Sequence, residues 1–339
     1  MVIFTNCLSE TADEGCLKVA NSLIKRIKKA SPDVTVVSYE RKSGLSDVHV
    51  KSNRLLLTWE LIKTLRSKNE EVLFIPFPAK SSAMFLRILI LSLIAPKKTR
   101  VLLTQITEIG AAARVFARLC NAEFLVLSET AKRKLEGFIK PNRIKRIRAG
   151  VDTERFVPAE KHRVAEIKRK YGISPDRPVV LHVGHMNEGR NISELMKFSE
   201  EYQIVLVTST LTKNEEDKQL KAKLSGCSNI KIIDEYIPEI SEIYQMADVY
   251  FFPVVEEGNC IDVPLSCLEA AACNKPVVTT EFGEMKEFKG KGGFFFIDSF
   301  EPEELESLIN EALECEKEDI RSAVSHYDWN CAVNSILNF

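Results

Sequence analysis

Short runs of consecutive apolar residues alternate along the chain with longer stretches in which apolar residues recur every third or fourth position. The runs predict buried strands, and the periodic stretches predict amphipathic helices. In the first half, strands are expected at 2–5, 34–39, 72–75, 100–104, 124–128 and 144–148. Helices are expected there at 15–30, 55–67, 81–94, 108–120 and 129–138. The pattern then restarts, with strands at 178–183, 204–208, 230–233, 249–252, 276–279 and 293–297. Its helices fall at 159–171, 193–201, 214–224, 240–246, 264–272 and 302–314, and a last amphipathic segment, 326–339, carries Trp329. Such alternation over short links implies an α/β chain with two parallel Rossmann-like sheets, each covered on both faces. At 339 residues the chain exceeds one ordinary core and fits two domains. The break is expected at residue 157, ahead of Pro158, giving domains 1–157 and 158–325.

Composition narrows the class. With 45% hydrophobic and 28% charged residues the chain reads as globular and soluble. Its nine cysteines show no CxxC pair and no histidine partners at zinc-like spacing, so reduced thiols in a cytosolic protein are expected. Met1-Val2-Ile3-Phe4 enters a strand-like run with no leader-like segment, and no uncharged stretch is long enough to span a bilayer. The net charge of −1 hides a strong asymmetry. Residues 1–157 hold 28 Lys and Arg against 15 Asp and Glu, and the remainder holds 19 against 33. A basic half favours an anionic partner. Nucleic acid is disfavoured, because the charge carries no aromatic interleaving and no known motif. Neither half has GxGxxG between a strand and a helix, and there is no P-loop, so a dinucleotide dehydrogenase is disfavoured as well.

Three segments carry the chemistry. Residues 149–158 read AGVDTERFVP, and residues 179–191 read VVLHVGHMNEGRN. Residues 247–288 read ADVYFFPVVEEGNCIDVPLSCLEAAACNKPVVTTEFGEMKEF. Together they resemble the retaining GT-B glycosyltransferases of family 4, the glycosyl transferases group 1. The corresponding family patterns are NGVDxxxFxP, VLxVGRLxxxKG and ADxxxxPSxxEGFGxxxLEAMAxGxPVVxTxxGGxxE. The resemblance runs from Ser128 to the C-terminus, and the first half matches in layout alone. It implies the GT-B fold, two facing Rossmann-like domains with parallel sheets. It also implies that the last helix, within 326–339, crosses back to the first domain.

The same resemblance implies a nucleotide-diphosphate sugar donor held by the second domain. Gly184 ends a strand, and the family's following Arg and more distant Lys are replaced here by His185 and Arg190. Arg190 presents a permanent charge in a fork that fits phosphate oxygens. His185 is a weaker donor, charged only where its pKa allows. The helix starting at Pro264 offers the amides of Leu265 and Ser266 to a diphosphate. Glu269, the second acid of the family's Glu, seven residues, Glu motif, is expected to accept from ribose hydroxyls. Eight residues before it, where the first acid falls, stands Ile261. Glu257-Gly258 keeps the family's Glu-Gly, with four extra residues following, and Asp262 lies seven residues before Glu269. Either Glu257 reaches the sugar over a longer loop or Asp262 takes its place, so the catalytic candidates are Glu257, Asp262 and Arg190. In the first domain, loop 11–17 supplies Gly15 to the donor site. Loop 74–82 offers Lys80, Ser81 and Ser82 where the family often has a His. No Asp-x-Asp stands in either donor loop, so neither a metal nor another cofactor is expected. Arg190 and helix dipoles would meet the charge of the leaving diphosphate.

The expected activity is transfer of a hexose from a nucleotide sugar to a lipid-linked or saccharide acceptor in glycan biosynthesis. The alternative is a catalytically inactive GT-B scaffold that binds a nucleotide or a partner enzyme, motivated by Ile261 and the missing His. Segment 81–100 is either a buried core helix or a half-inserted membrane helix. Lys97, Lys98 and Arg100, with the basic stretches 25–29 and 132–134, support a surface of residues 1–157 facing anionic lipid. The protein is then expected in the cytoplasm, peripheral at the inner face of the membrane.

Overall fold

In the computed structural model, which describes residues 1–339 apart from 10–13, 41, 78–81, 107, 209–214, 316–319 and 339, the chain divides into two compact units. The first comprises Met1–Ala149 and Trp329–Phe339, and the second Gly150–Asp328. The division at Ala149 falls ahead of the change in charge sign at 157.

The first unit is built on seven parallel strands: β1 (Val2–Thr5), β2 (Thr35–Ser38), β3 (Val48–His49), β4 (Val72–Ile75), β5 (Thr99–Leu103), β6 (Ala122–Val126) and β7 (Ile144–Arg146). Their order is β3-β2-β1-β4-β5-β6-β7. The helices are α1 (Gly15–Ala30), α2 (Trp59–Lys68), α3 (Ser82–Ile94), α4 (Ala111–Leu119) and α5 (Glu129–Glu136). Alternate strand residues face opposite sides of a sheet. Val2, Phe4, Phe74, Val101 and Leu103 point to one side and share a core cluster with residues of four helices. These are Leu61 and Leu65 of α2, Phe85 and Ile88 of α3, Ala113 and Ala117 of α4, and Leu135 of α5. None of the buried residues of α1 belongs to that cluster. Reversal of the strand order at β1 puts α1 on the other side, as right-handed crossovers require. The basic stretch 25–29 therefore does not share a face with α3, which corrects the expectation that the two form one surface.

The second unit holds six parallel strands: β8 (Val179–Gly184), β9 (Gln203–Thr208), β10 (Ile230–Ile233), β11 (Val249–Phe252), β12 (Val277–Thr279) and β13 (Phe294–Phe296). Their order is β10-β9-β8-β11-β12-β13. Its helices are α6 (Lys161–Lys170), α7 (Glu215–Ser225), α8 (Ile240–Met246), α9 (Leu265–Ala272) and α10 (Pro302–Glu314). The chain then re-enters the first unit as α11 (Trp329–Leu337), which packs on α1. Arg100 donates to the Ile336 carbonyl at 2.6 Å and Lys145 to the Ser335 carbonyl at 3.1 Å, which ties α11 down. No helix among the described residues is long and apolar enough to cross a membrane. All nine cysteines are free thiols.

Three local departures from the expected pattern have identifiable causes. Strand β3 is two residues long and one of them is His49, too short to register as an apolar run. The helix expected at 55–67 begins only at Trp59, because the Asn53 carboxamide oxygen accepts from the amides of Leu55 and Leu57, both at 3.0 Å. That side-chain turn competes with a helix, and Leu56 within it takes a left-handed conformation at φ 59°. The helix expected at 193–201 is a 3-10 turn, Ile192–Lys197. Ile192, Leu195 and Phe198 are all buried, and their spacing of three fits a 3-10 period better than an α-helical one.

Candidate functional site

The site grows from the carboxyl ends of β8 and β11, where ligands bind in open parallel sheets. Strand β8 ends at Gly184, and a tight turn, Glu188–Arg190, folds back over it. Arg190 is 8% exposed. A methyl group on Gly184 would lie 2.3 Å from Arg190 Nη1, so only a bare Cα lets the guanidinium lie where it does. Gly189 is likewise closed to a side chain by Asn259, whose Nδ2 would stand 2.5 Å from it. Arg190 Nε donates to the Asn259 carbonyl at 2.9 Å, and the guanidinium also bonds the Cys260 sulfur. Both partners are neutral, and among the described residues Arg190 forms no ion pair with a carboxylate. Burial pushes the Cys260 thiol pKa up, so it stays protonated beside the cation.

The loop after β11 is long and internally anchored. Asn191 Nδ2 donates to the Pro253 carbonyl at 3.1 Å, and the Thr280 hydroxyl donates to the Val254 carbonyl. Val255, Glu256 and Glu257 form an exposed tip. The chain then turns inward, burying Ile261 and Val263 with Asp262 half-buried between them. The Asp262 carbonyl accepts from the Glu284 amide at 2.8 Å. It would lie 2.1 Å from a methyl group on Gly283, whose φ of 54° already favours glycine. The loop is thus held at the Asp262 backbone, and its Glu257 end is exposed to solvent.

Helix α9 follows. Pro264 caps it without an N–H, and the amides of Leu265 and Ser266 head it. Its run of small residues, Ala270, Ala271 and Ala272, lets it pack closely and bury almost every side chain. Asn274, at φ 60°, stops it: the Asn274 amide returns to the Ala271 carbonyl at 2.9 Å and the Lys275 amide to the Ala270 carbonyl at 3.0 Å. Glu269, 6% exposed, is the one acid in the helix, and its Oε2 accepts from the buried Tyr244 hydroxyl at 2.6 Å. A buried carboxylate needs such a donor. Burial, then the Glu269 charge, raises the Tyr244 pKa, which keeps the phenol a donor.

His182, fully buried, lies in β8 beneath this turn. Its Nδ1 stands 2.8 Å from the Phe251 carbonyl, which can only accept, so Nδ1 carries the proton. Its Nε2 has no hydrogen-bond partner among the described residues and would lie 3.1 Å from a methyl group on Gly184. Desolvation lowers its pKa to about 3, with Arg190 and His185 contributing further, so the ring is neutral at ordinary pH. It lies flat beside Tyr250 and Phe252, with ring centroids 6.3 Å away from each.

Of the residues expected from the sequence, Gly184, Arg190, Asp262, Leu265, Ser266 and Glu269 occupy this set of loops and the head of α9, and His185 is half-buried beside Gly184. Glu257 is on the exposed tip. Gly15 belongs to the first unit as the first residue of α1, and Ser82 begins α3. Lys80, Ser81 and residues 11–13 lie outside the described residues. Sequence reasoning missed Tyr244, Asn259, His182 and Gly283. One signal was available, a histidine inside the otherwise apolar strand VVLHVG.

This pair of parallel Rossmann-like sheets is the GT-B fold of glycosyltransferases. Residues 177–315, within the second unit, match the model of the family described as Glycosyl transferases group 1. Alpha-maltose-1-phosphate synthase of Mycobacterium tuberculosis is 27% identical over 166 residues, 45% of this chain and 41% of that protein. A glycosyltransferase from Rickettsia africae superposes with a TM-score of 0.79 at 15% identity, over 99% of this chain and 97% of its own. HepE of Anabaena, solved with UDP-glucose, superposes with a TM-score of 0.78 at 15% identity, over 100% and 98%. At these identities the structural likenesses establish the fold alone.

Proposed function

We propose that the second unit binds the diphosphate of a nucleotide sugar, and that the protein is a retaining, metal-independent glycosyltransferase. It moves a hexose to a lipid-linked or saccharide acceptor. The observation that carries this reading is Arg190, a buried guanidinium that among the described residues bonds only neutral groups, set in the same loops as the amide-bearing head of α9. A buried cation without a counter-ion is costly, and an arriving diphosphate removes that cost. That the Anabaena protein was solved with UDP-glucose makes a UDP-sugar the first donor to test.

The roles follow from the chemistry each group can perform. Arg190 and the amides of Leu265 and Ser266 stabilise negative charge on the leaving diphosphate. Glu269, oriented by Tyr244, accepts from ribose hydroxyls. Gly184 and His185 border the phosphates. The bond from the anomeric carbon to the diphosphate oxygen breaks. The acceptor oxygen bonds to that carbon on the same face, and its proton passes to the leaving phosphate oxygen. Asp262 is the better of the two acids for the sugar, because its half-buried, backbone-anchored position holds a carboxylate in place. Glu257 lies on an exposed tip, open to solvent.

A second reading, an inactive scaffold that binds nucleotide, is favoured by buried Ile261 at the place of the family's first acid. The two part in one assay: release of nucleoside diphosphate from a panel of nucleotide sugars, with and without EDTA and with and without lipid or saccharide acceptors. Acceptor-dependent release from one donor is the expected result. Binding with no turnover for every donor and acceptor supports the scaffold, and turnover abolished by EDTA removes metal independence.

A further inference from the structure

We propose that the helical face of the first unit formed by α2, α3 and α4 is a docking surface for an anionic lipid bilayer. Eight large apolar side chains stand exposed among the described residues, and six of them lie on this face or its entry loop. They are Leu55, Leu57 and Trp59 at the head of α2, Leu93 on α3, and Val115 and Leu119 on α4. Trp59 is 79% exposed, Leu93 71% and Leu119 66%. A concentration of this kind marks an interaction surface rather than ordinary scatter.

Local bonds hold the pieces together. Arg87 of α3 donates to the Arg54 carbonyl at 2.7 Å, which fixes the Leu55–Trp59 stretch beside α3. The Asn121 amide donates to the Ser92 hydroxyl at 3.3 Å, which joins the ends of α3 and α4. The Asn53 turn buries Leu56 in the core while leaving Leu55 and Leu57 outside. That backbone is held in a left-handed conformation with the two leucines facing water, so the turn presents apolar groups instead of hiding them.

Charge selects the occupant. Exposed Arg54, Lys63 and Arg66 accompany the first group, and exposed Lys97, Arg114 and Arg118 the second. Glu60 is the only acid within α2, α3 and α4. The core of a protein–protein interface is depleted of charge. Tryptophan and leucine interleaved with Lys and Arg is the composition that settles at the level of anionic headgroups, apolar tips inward and cations among the phosphates. The basic stretch of α1 lies on the other side of the sheet and has no exposed large apolar residue, so it takes no part.

This deepens the membrane-acceptor reading above and rests on it for what the docked enzyme acts upon. Docking itself is measured without donor, so the two fail separately: flotation without any turnover leaves docking standing, and turnover without flotation removes docking alone. The experiment is flotation of the full chain with vesicles of phosphatidylcholine alone or mixed with phosphatidylglycerol. The wild type should float with the anionic vesicles, weakly or not at all with the neutral ones, and less as salt rises. The pair Leu93→Glu and Leu119→Glu, both exposed positions, should cut the partition coefficient at least about tenfold with the circular dichroism spectrum unchanged. Lys25→Glu with Lys29→Glu, on α1, should leave it within about twofold. Absence of wild-type flotation, equal flotation with both vesicle types, unchanged flotation of the α3–α4 pair, or loss of flotation in the α1 pair each overturns the proposal.

Discussion

Substituting Gly184 by alanine tests the site where its geometry is tightest. The added methyl group falls 2.3 Å from Arg190 Nη1 and 3.1 Å from His182 Nε2. An unstrained contact needs about 3.5 Å, so the guanidinium must withdraw by roughly 1 Å. The bond from Arg190 Nε to the Asn259 carbonyl, 2.9 Å long, cannot survive that shift in its present geometry. The displaced atoms are the far end of a flexible side chain, and Gly184 does not need a left-handed backbone, so the fold should tolerate the change. Losing one charge-assisted hydrogen bond to the donor diphosphate costs about 1.5–3 kcal/mol, or roughly ten- to hundredfold in affinity. Calorimetric titration with UDP, or with the nucleotide found in the donor screen, reads the affinity, and urea unfolding reads the fold. Unchanged affinity in a folded Gly184→Ala protein would refute the assignment of Arg190 to the diphosphate.

Three further outcomes are expected. Asp262→Asn should lower turnover more than Glu257→Gln while donor affinity changes little in either, and the reverse order in steady-state kinetics would return the sugar-facing role to Glu257. Tyr244→Phe removes the hydroxyl from buried Glu269 and should lower unfolding free energy by about 1–3 kcal/mol, with an unchanged urea midpoint counting against a structural role for that bond. His182 has a folded-state pKa of about 3 against an ordinary 6.5, so between these values the unfolded chain binds more protons. Its contribution is full above pH 6.5 and is lost as pH falls toward 3. From pH 6.5 to 4.5 the wild type should lose about 2 kcal/mol more than His182→Phe, and parallel acid limbs would show that the ring is not held neutral.

The strands were the most legible part of the chain, because sheets buried on both faces need near-continuous apolar runs such as VIFT and VYFF. Where the reading failed, a side chain or a spacing overrode the period: Asn53 delayed α2, and the three-residue spacing of Ile192, Leu195 and Phe198 set a 3-10 turn. Arg190 and Glu269 were visible because the motifs that hold them are local. Their partners were not, since Asn259 stands 69 positions from Arg190 and Tyr244 25 positions from Glu269. Charge counts put the Lys25–Lys29 stretch and α3 together, yet only the strand order reveals that the sheet separates them.

The central claim is that the loops around Arg190 and the head of α9 hold the diphosphate of a nucleotide sugar. Titration of the wild type, Arg190→Ala and Glu269→Ala with a panel of nucleoside diphosphates and their sugars tests it most directly. The wild type should bind one nucleotide family, and each variant should bind it about ten- to hundredfold more weakly while unfolding at a similar urea concentration. Wild-type binding to none of the panel, or equal affinity in all three folded proteins, would contradict the account.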